Sequence, residues 1–399
     1  MEHNQELIHE IQTTLGKFNI PAWLFCGFNN TDPIALRILR FQTDQWSTRR
    51  WFYLIPNQGE PRKLVHKIEP AILDHLPGSR AVYLQWEQLQ DELKVLLEDV
   101  SMVAMQFSEN NGIPYISHVD AGTVDLVRSC QTKVVSSENL AQYFEAVWSD
   151  EQLHQHRNVA LALTSIVQSA FNETAMTIAD RGETNEWAIQ QFILNQFKDT
   201  GLRTEHPPIV AVNENSANPH YQPTQYKYSK ITSGDLLLID LWAKSQDPDS
   251  PYGDITWTAY LGAEIPHKIR KVFQVVRKAR DRGVEFLQEC FGANRIPQGW
   301  EVDDAVRGTI KRAGYAECFV HRTGHNLGRE LHGNGANFDN LETHDTRLVI
   351  PGIACTIEPG IYLEGEFGIR SEINVFLSSD GPEVTTPPQN EILIAASTL

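Results

Sequence analysis

Along the first 135 residues, short apolar runs alternate with amphipathic stretches of helical period. Trp23–Gly27, Trp51–Ile55, Lys63–His66, Ala81–Leu84 and Met102–Met105 read as strands, with helices expected over Leu7–Lys17, Ala71–Leu76 and Trp86–Leu97. Such alternation predicts an α/β domain with a layered sheet. From about Ser136 the pattern changes. Residues 137–181 are free of Gly and Pro and hold a helical period, so a long helix or a pair of helices is expected to join two domains. A helix capped by Thr184 buries Ile189, Phe192, Ile193 and Phe197. Another over 264–291 carries the stripe Ile265, Ile269, Val272, Phe273 and Val276, and one near Glu301 repeats Val302, Val306 and Ile310. The remaining C-terminal segments are strand-like. The prediction is an α+β chain in two domains, 1–136 and 137–399, with a linker helix over about 137–165.

Strand alternation separates apolar from polar faces in the second domain. In Asp254–Leu261, Asp254, Thr256, Thr258 and Tyr260 share one face, and Ile255, Trp257, Ala259 and Leu261 the other. In Ile369–Val375, Arg370, Glu372 and Asn374 lie opposite Ile369, Ile373 and Val375. Asp240 follows the apolar run Leu236–Ile239, and Glu358 has an apolar lead-in stopped by Pro359. Carboxylates in such surroundings need compensating positive charge.

Asp240, Asp254, His325, Glu358 and Glu372 could meet that need jointly by holding metal ions. Four carboxylates and an imidazole match two adjacent divalent cations and leave room for a hydroxide. Each acid alone could as well end a strand or pair with a base such as Arg370; the joint occurrence of five short motifs carries the metal reading. His220, His321 and His332 accompany the set.

Composition narrows the remaining classes. Hydrophobic content of 41% and charged content of 21% over 399 residues are those of an ordinary globular protein. A net charge of −17 disfavours nucleic acid and anionic membranes as partners. Five dispersed cysteines without a C-x-x-C pair suit a reducing compartment, and neither a leader-like N-terminus nor a run of ~18 apolar residues is evident. A cytoplasmic location is expected.

The order Asn218-Pro-His-Tyr, Asp240, Asp254-Ile-Thr, Thr323-Gly-His-x-x-Gly, His332, Ile357-Glu-Pro-Gly-Ile-Tyr and Arg370-x-Glu resembles the pita-bread metallopeptidases, in particular the aminopeptidase P and prolidase branch. The resemblance covers about residues 137–395, and residues 1–136 are similar to the creatinase-like domain that precedes the catalytic one there. It implies a curved antiparallel sheet covered by helices and a metallopeptidase acting on Xaa-Pro bonds, in dipeptides or at peptide N-termini.

By that resemblance Asp240 chelates one metal, Asp254 and Glu372 bridge both, and His325 and Glu358 complete the second. Glu358 also acts as general base. His220, His321 and His332 contact substrate and stabilise the tetrahedral intermediate, and Arg370 matches the arginine before the last ligand. The donors favour two manganese ions, with cobalt, zinc or iron as alternatives. The implied partners are a small peptide substrate and further copies of the chain in a homo-oligomer. Trp257, Gly333 and Ile373 depart from the branch's usual residues and are expected to alter the surroundings of the metals and the substrate rim. A creatinase-like amidinohydrolase and a non-catalytic binding protein on a retired peptidase fold are the rival readings; complete ligands argue against both.

Overall fold

The computed structural model describes residues 2–42 and 45–395. Two compact units emerge, Met1–Glu145 and Ala146–Leu399. The first is built on a mixed sheet of β1 (Ala22–Gly27), β2 (Trp51–Pro56), β3 (Arg62–His66), β4 (Ser79–Tyr83), β5 (Met102–Met105) and β6 (Lys133–Ser136). Its spatial order is β4-β3-β2-β1-β5-β6. Trp23 and Phe25 face one apolar layer while Leu24 and Cys26 face the other. Burial on both faces explains why β1 reads as an unbroken apolar run.

Ala71–Leu76 is not the expected helix. Its backbone closes three-residue turns, Asp74 N to Ala71 O at 3.0 Å and Leu76 N to Leu73 O at 3.1 Å. Pro70 and Pro77 bracket too few residues for a four-residue ladder to start.

The linker helix is also interrupted. One helix ends at Glu145 and the next begins at Asp150 and runs to Arg181. Ser149 caps the second helix, exchanging hydrogen bonds with Gln152 in a capping box. Trp148 N donates to Gly352 O at 2.8 Å in the gap. The units therefore divide after Glu145, whereas periodicity placed the change at residue 136. The cap of the following helix, Glu186–Asp199, is Asn185 and not Thr184; Asn185 accepts from Ala188 N, while Thr184 pairs with Ile231 in a short ladder.

In the second unit, Leu236–Ser245 and Gly253–Tyr260 pair antiparallel from Leu236↔Tyr260 to Ala243↔Gly253. Leu237, Ile239, Leu241 and Ala243 meet the helices Asp150–Arg181 and Glu186–Asp199 in one core. Alternation then places Asp240 on the opposite face. A second antiparallel sheet joins Asn326–Leu327, Ala354–Ile357, Ile373–Ser378 and Gly381–Val384. Gly360–Leu363 and Phe367–Arg370 form a hairpin beside it.

Ile369–Val375 is therefore two strands and not one. The chain changes partner between Arg370 and Ile373, which leaves Ser371 and Glu372 outside both ladders. The segment from 313 to 353 is mostly turns, so His321 and His332 lie on loops and not on strands. No described helix is long and apolar enough to cross a membrane.

A candidate metal centre

The register of the long strand pair brings the two aspartates to one face. Asp240 lies opposite Thr256 and Trp242 opposite Asp254, so the aspartates are diagonal neighbours. Glu372 enters from the break between strands, where its backbone N donates to Thr256 O at 3.3 Å. Thr256 Oγ1 donates to Glu372 Oε2 at 2.7 Å. His325 precedes the strand Asn326–Leu327, its backbone N tied to Thr356 Oγ1 at 2.9 Å. Glu358 stands between Ala354–Ile357 and Gly360–Leu363.

Candidate ligand atoms of Asp254, His325 and Glu372 lie within 4.8 Å of one another. His325 Nε2 is 3.5 Å from Asp254 Oδ2 and 3.6 Å from Glu358 Oε1. Asp240 lies outside that group of three, and Arg370 Nη2 engages its Oδ2. One oxygen on each of Asp240, Asp254 and Glu372 is buried without a hydrogen-bond partner among the described residues. Buried acceptors are normally paired, at a cost of ~1–3 kcal/mol each when they are not. Three such oxygens beside an imidazole fit a site for small divalent cations.

Electrostatics say the same. Burial and the neighbouring Glu372, Asp240 and Glu358 push the Asp254 carboxyl well above its usual range. Glu372 is raised by burial and by Glu358 and Asp240, and Asp240 chiefly by burial. Glu358 is pushed up to about 7 by burial, with Arg370 opposing and Asp240 adding to the shift. So many raised acids mark a shortage of positive charge that metal ions would meet. Burial first, then His332 and Arg322, hold His325 well below its usual value. His321 falls to about 3 and His332 to about 4, again mainly through burial. All three imidazoles are thus neutral near pH 7, the form that ligates and accepts hydrogen bonds.

Arg370 is the resident cation. Besides Asp240 it donates from Nε to Thr256 Oγ1 at 2.9 Å and from Nη1 to Tyr362 Oη at 3.1 Å, and its Nε lies 3.9 Å from Glu358 Oε2. Tyr362 Oη is also 2.7 Å from His321 Nε2. A chain of contacts thus runs from Asp240 through Arg370 and Tyr362 to His321. Residue-level reasoning missed Tyr362, whose sequence signal is its place in Glu358-Pro-Gly-Ile-Tyr. The His332 ring lies 4.3 Å from that of His325. His220 is exposed on a turn.

The three departures fare differently. Trp257 does not touch the centre, because alternation turns its ring into the helix-covered core. Gly333 is required by close approach: a Cβ there would fall 2.3 Å from Asn326 Oδ1. Ile373 is buried at the start of its strand, opposite Ile357.

Comparison with known proteins gives the family and the fold. The sequence model of metallopeptidase family M24 matches residues 159–379, more than half of the chain. A Xaa-Pro dipeptidase of Pyrococcus furiosus is 32% identical over 185 residues, 46% of this chain and 48% of that protein. A Xaa-Pro dipeptidase of Lactobacillus delbrueckii subsp. lactis is 25% identical over 77% of each chain. This chain thus spans about half the length of the first relative and about three quarters of the second. Among solved structures, the dipeptidase PepE of Mycobacterium ulcerans superposes with a TM-score of 0.69 at 18% identity, covering 98% of both chains. Aminopeptidase P of Escherichia coli gives 0.58 at 16% identity, over 96% of this chain and 95% of that one. At such identities the structures establish the mixed α and β fold.

Proposed function

The chain belongs to metallopeptidase family M24, and from that premise we propose that it hydrolyses Xaa-Pro bonds, in dipeptides or at peptide N-termini. The observation that carries this reading is the convergence of unpartnered, buried carboxylate oxygens of Asp254 and Glu372 with a neutral His325. Asp254 and Glu372 would be shared by two ions, Asp240 would hold one, and His325 and Glu358 the other. Bound divalent cations would supply Lewis-acid polarisation of the scissile carbonyl and a water acidic enough to ionise near neutrality. A set rich in oxygen donors with one nitrogen favours manganese over cobalt, zinc or iron.

The protein's own residues do the rest. Glu358, with its carboxyl near 7 before metal binds, is placed to take a proton from the attacking water and return it to the leaving proline nitrogen. Arg370 spans Asp240 and Glu358 and keeps both oriented. His321, held by Tyr362, together with His332 and His220, offers imidazole edges to the substrate carbonyl. An Xaa-Pro bond has no N–H and a fixed φ, so a site built from side-chain edges suits it better than strand-like pairing. All five cysteines are free, which accords with a cytoplasmic setting, and a homo-oligomer is inferred from the family resemblance.

The test is metal-dependent turnover. Protein stripped with chelator should be inactive, and added manganese should restore cleavage of Gly-Pro or of an Xaa-Pro tripeptide. Cleavage of creatine instead would transfer the reading to the amidinohydrolases. Metal-loaded protein that cleaves no Xaa-Pro peptide of any length would overturn the proposal. Asp254→Asn should lower bound metal toward zero and reduce turnover at least a hundredfold, the scale of losing a bridging charge; full activity would remove Asp254 from the site.

A further inference from the structure

The loop that carries His220 is held by a carboxylate outside the proposed ligand set. Glu186 is the first residue of the helix Glu186–Asp199, where an acid ordinarily stays in solvent and complements the helix end. Here it is 0% exposed. Its side chain serves the irregular segment 213–229, which joins the strands Ile209–Val212 and Lys230–Thr232.

Four donors converge on it. Oε1 accepts from Val212 N and from Asn215 Nδ2, both at 2.8 Å. Oε2 accepts from Ser229 N at 2.7 Å and from Tyr221 Oη at 2.6 Å. These donors stand at the start, the middle and the end of the segment, so one carboxylate closes it into a loop. A carboxylate is tolerated in the interior when its oxygens are hydrogen-bonded in this way.

The same loop is fixed to the strands of the metal centre. Ile209, in the strand that leads into it, pairs opposite Asp240. Asn213 Oδ1 accepts from Leu236 N at 2.9 Å, at the start of the strand that holds Asp240. Ser216 Oγ accepts from Gly368 N at 2.8 Å, and a Cβ on Gly368 would lie 2.0 Å from Ser216 O. Gly368 stands two residues before Arg370 in the strand Phe367–Arg370. His220 is exposed, whereas Tyr221 is buried in a core cluster with Ile209, Leu238 and Leu327. The backbone that bears the His220 imidazole is thus anchored one residue away, by a ring locked through packing and a hydroxyl locked by Glu186.

We propose that Glu186 is the positioning residue of His220: it holds the loop so that the imidazole meets the substrate, with Tyr221 as the link between them. Glu186 acts through the loop and not on the reacting atoms. The inference rests on the peptidase reading, in which His220 contacts substrate.

Glu186→Gln in the manganese-loaded full chain tests it. An amide turns one oxygen into a donor, so in either orientation Val212 N or Ser229 N loses its acceptor. The variant should bind manganese as wild type does and show faster hydrogen exchange across residues 213–229. Its kcat/KM on an Xaa-Pro tripeptide should fall about tenfold, the scale of one lost hydrogen bond to a charged group. In a His220→Ala background the same change should alter kcat/KM by less than about twofold, because its effect passes through His220. A merely structural role gives the same penalty with and without His220, and that result would overturn the proposal. Unchanged exchange in the loop, or loss of manganese together with activity, would overturn it as well. A wild type that cleaves no Xaa-Pro peptide would overturn the peptidase reading and with it the role given to His220; the exchange comparison needs no turnover and still shows whether Glu186 holds the loop. Should Glu186→Gln fail to fold, Tyr221→Phe, which removes one donor and keeps the ring, should give a several-fold loss with the same dependence on His220.

Discussion

At Glu358 the same carboxyl is a proposed metal ligand and a proposed base, and its cost to the metal-free protein can be read by titration. Burial raises it from an ordinary 4.5 to about 7. A group raised in this way stabilises the fold while protonated, below about 4.5, and that contribution is lost as pH rises toward 7. Glu358→Gln removes the titration. In chelator, the variant should match wild type near pH 4.5 and exceed it above pH 7, by about 3 kcal/mol from the size of the shift. Urea unfolding at several pH values checks this; a gap that does not widen with pH would contradict it. The five proposed ligands could be nominated from sequence because acids and a histidine in apolar strand contexts demand an explanation. Thr256, Thr356 and Tyr362 were not, since a hydroxyl shows its partner only when the chain around it is folded.

Among the elements, those with a long hydrophobic period were the legible ones. The helices Glu186–Asp199, His267–Gly292 and Gly299–Arg312 bury residues of the stripes that predict them, and Asp150–Arg181 falls within the stretch free of Gly and Pro. The break after Arg370 was not legible, because a period of two continues through Ser371 and Glu372 although the strand changes partner there. The glycines flanking His325 point to close backbone approach in the sequence itself, and the turn before His325 makes a test. A Cβ on Gly324 would lie 1.9 Å from Thr356 O, in the strand that holds His325 in place. Gly324→Ala should cost about 2–3 kcal/mol and weaken manganese binding roughly tenfold, by the strain of overpacking. Gly292→Ala, with nothing within 4 Å of its Cβ near the end of a helix, serves as control and should be neutral to stabilising. Thermal melts and metal titration distinguish the two.

For the whole molecule, all five proposed ligands fall within Ala146–Leu399 and none within Met1–Glu145. Ligand binding stabilises only the structure that holds the ligand, by about 4 kcal/mol at a thousandfold excess over Kd. Calorimetry should therefore resolve a transition that manganese raises and chelator lowers, and hydrogen exchange should assign it to residues 146–399. Protection within the sheet β1–β6 should be unmoved. Equal shifts in both units would show that metal binding is coupled to the first. The net charge of −17 is in part an outcome of the second unit's acids, and two bound divalent ions would offset part of it.

By itself, the sequence determined the α+β class and the long helices, and it nominated two domains and five candidate ligands. Each of these depends on residue type and local period, which the linear chain carries. Tertiary structure alone decided that the first helix of the second unit starts at Asp150. It also decided that Arg370 joins Asp240 to Tyr362. These facts depend on which strands pair and in what register, and register sets the distance between residues far apart in the chain.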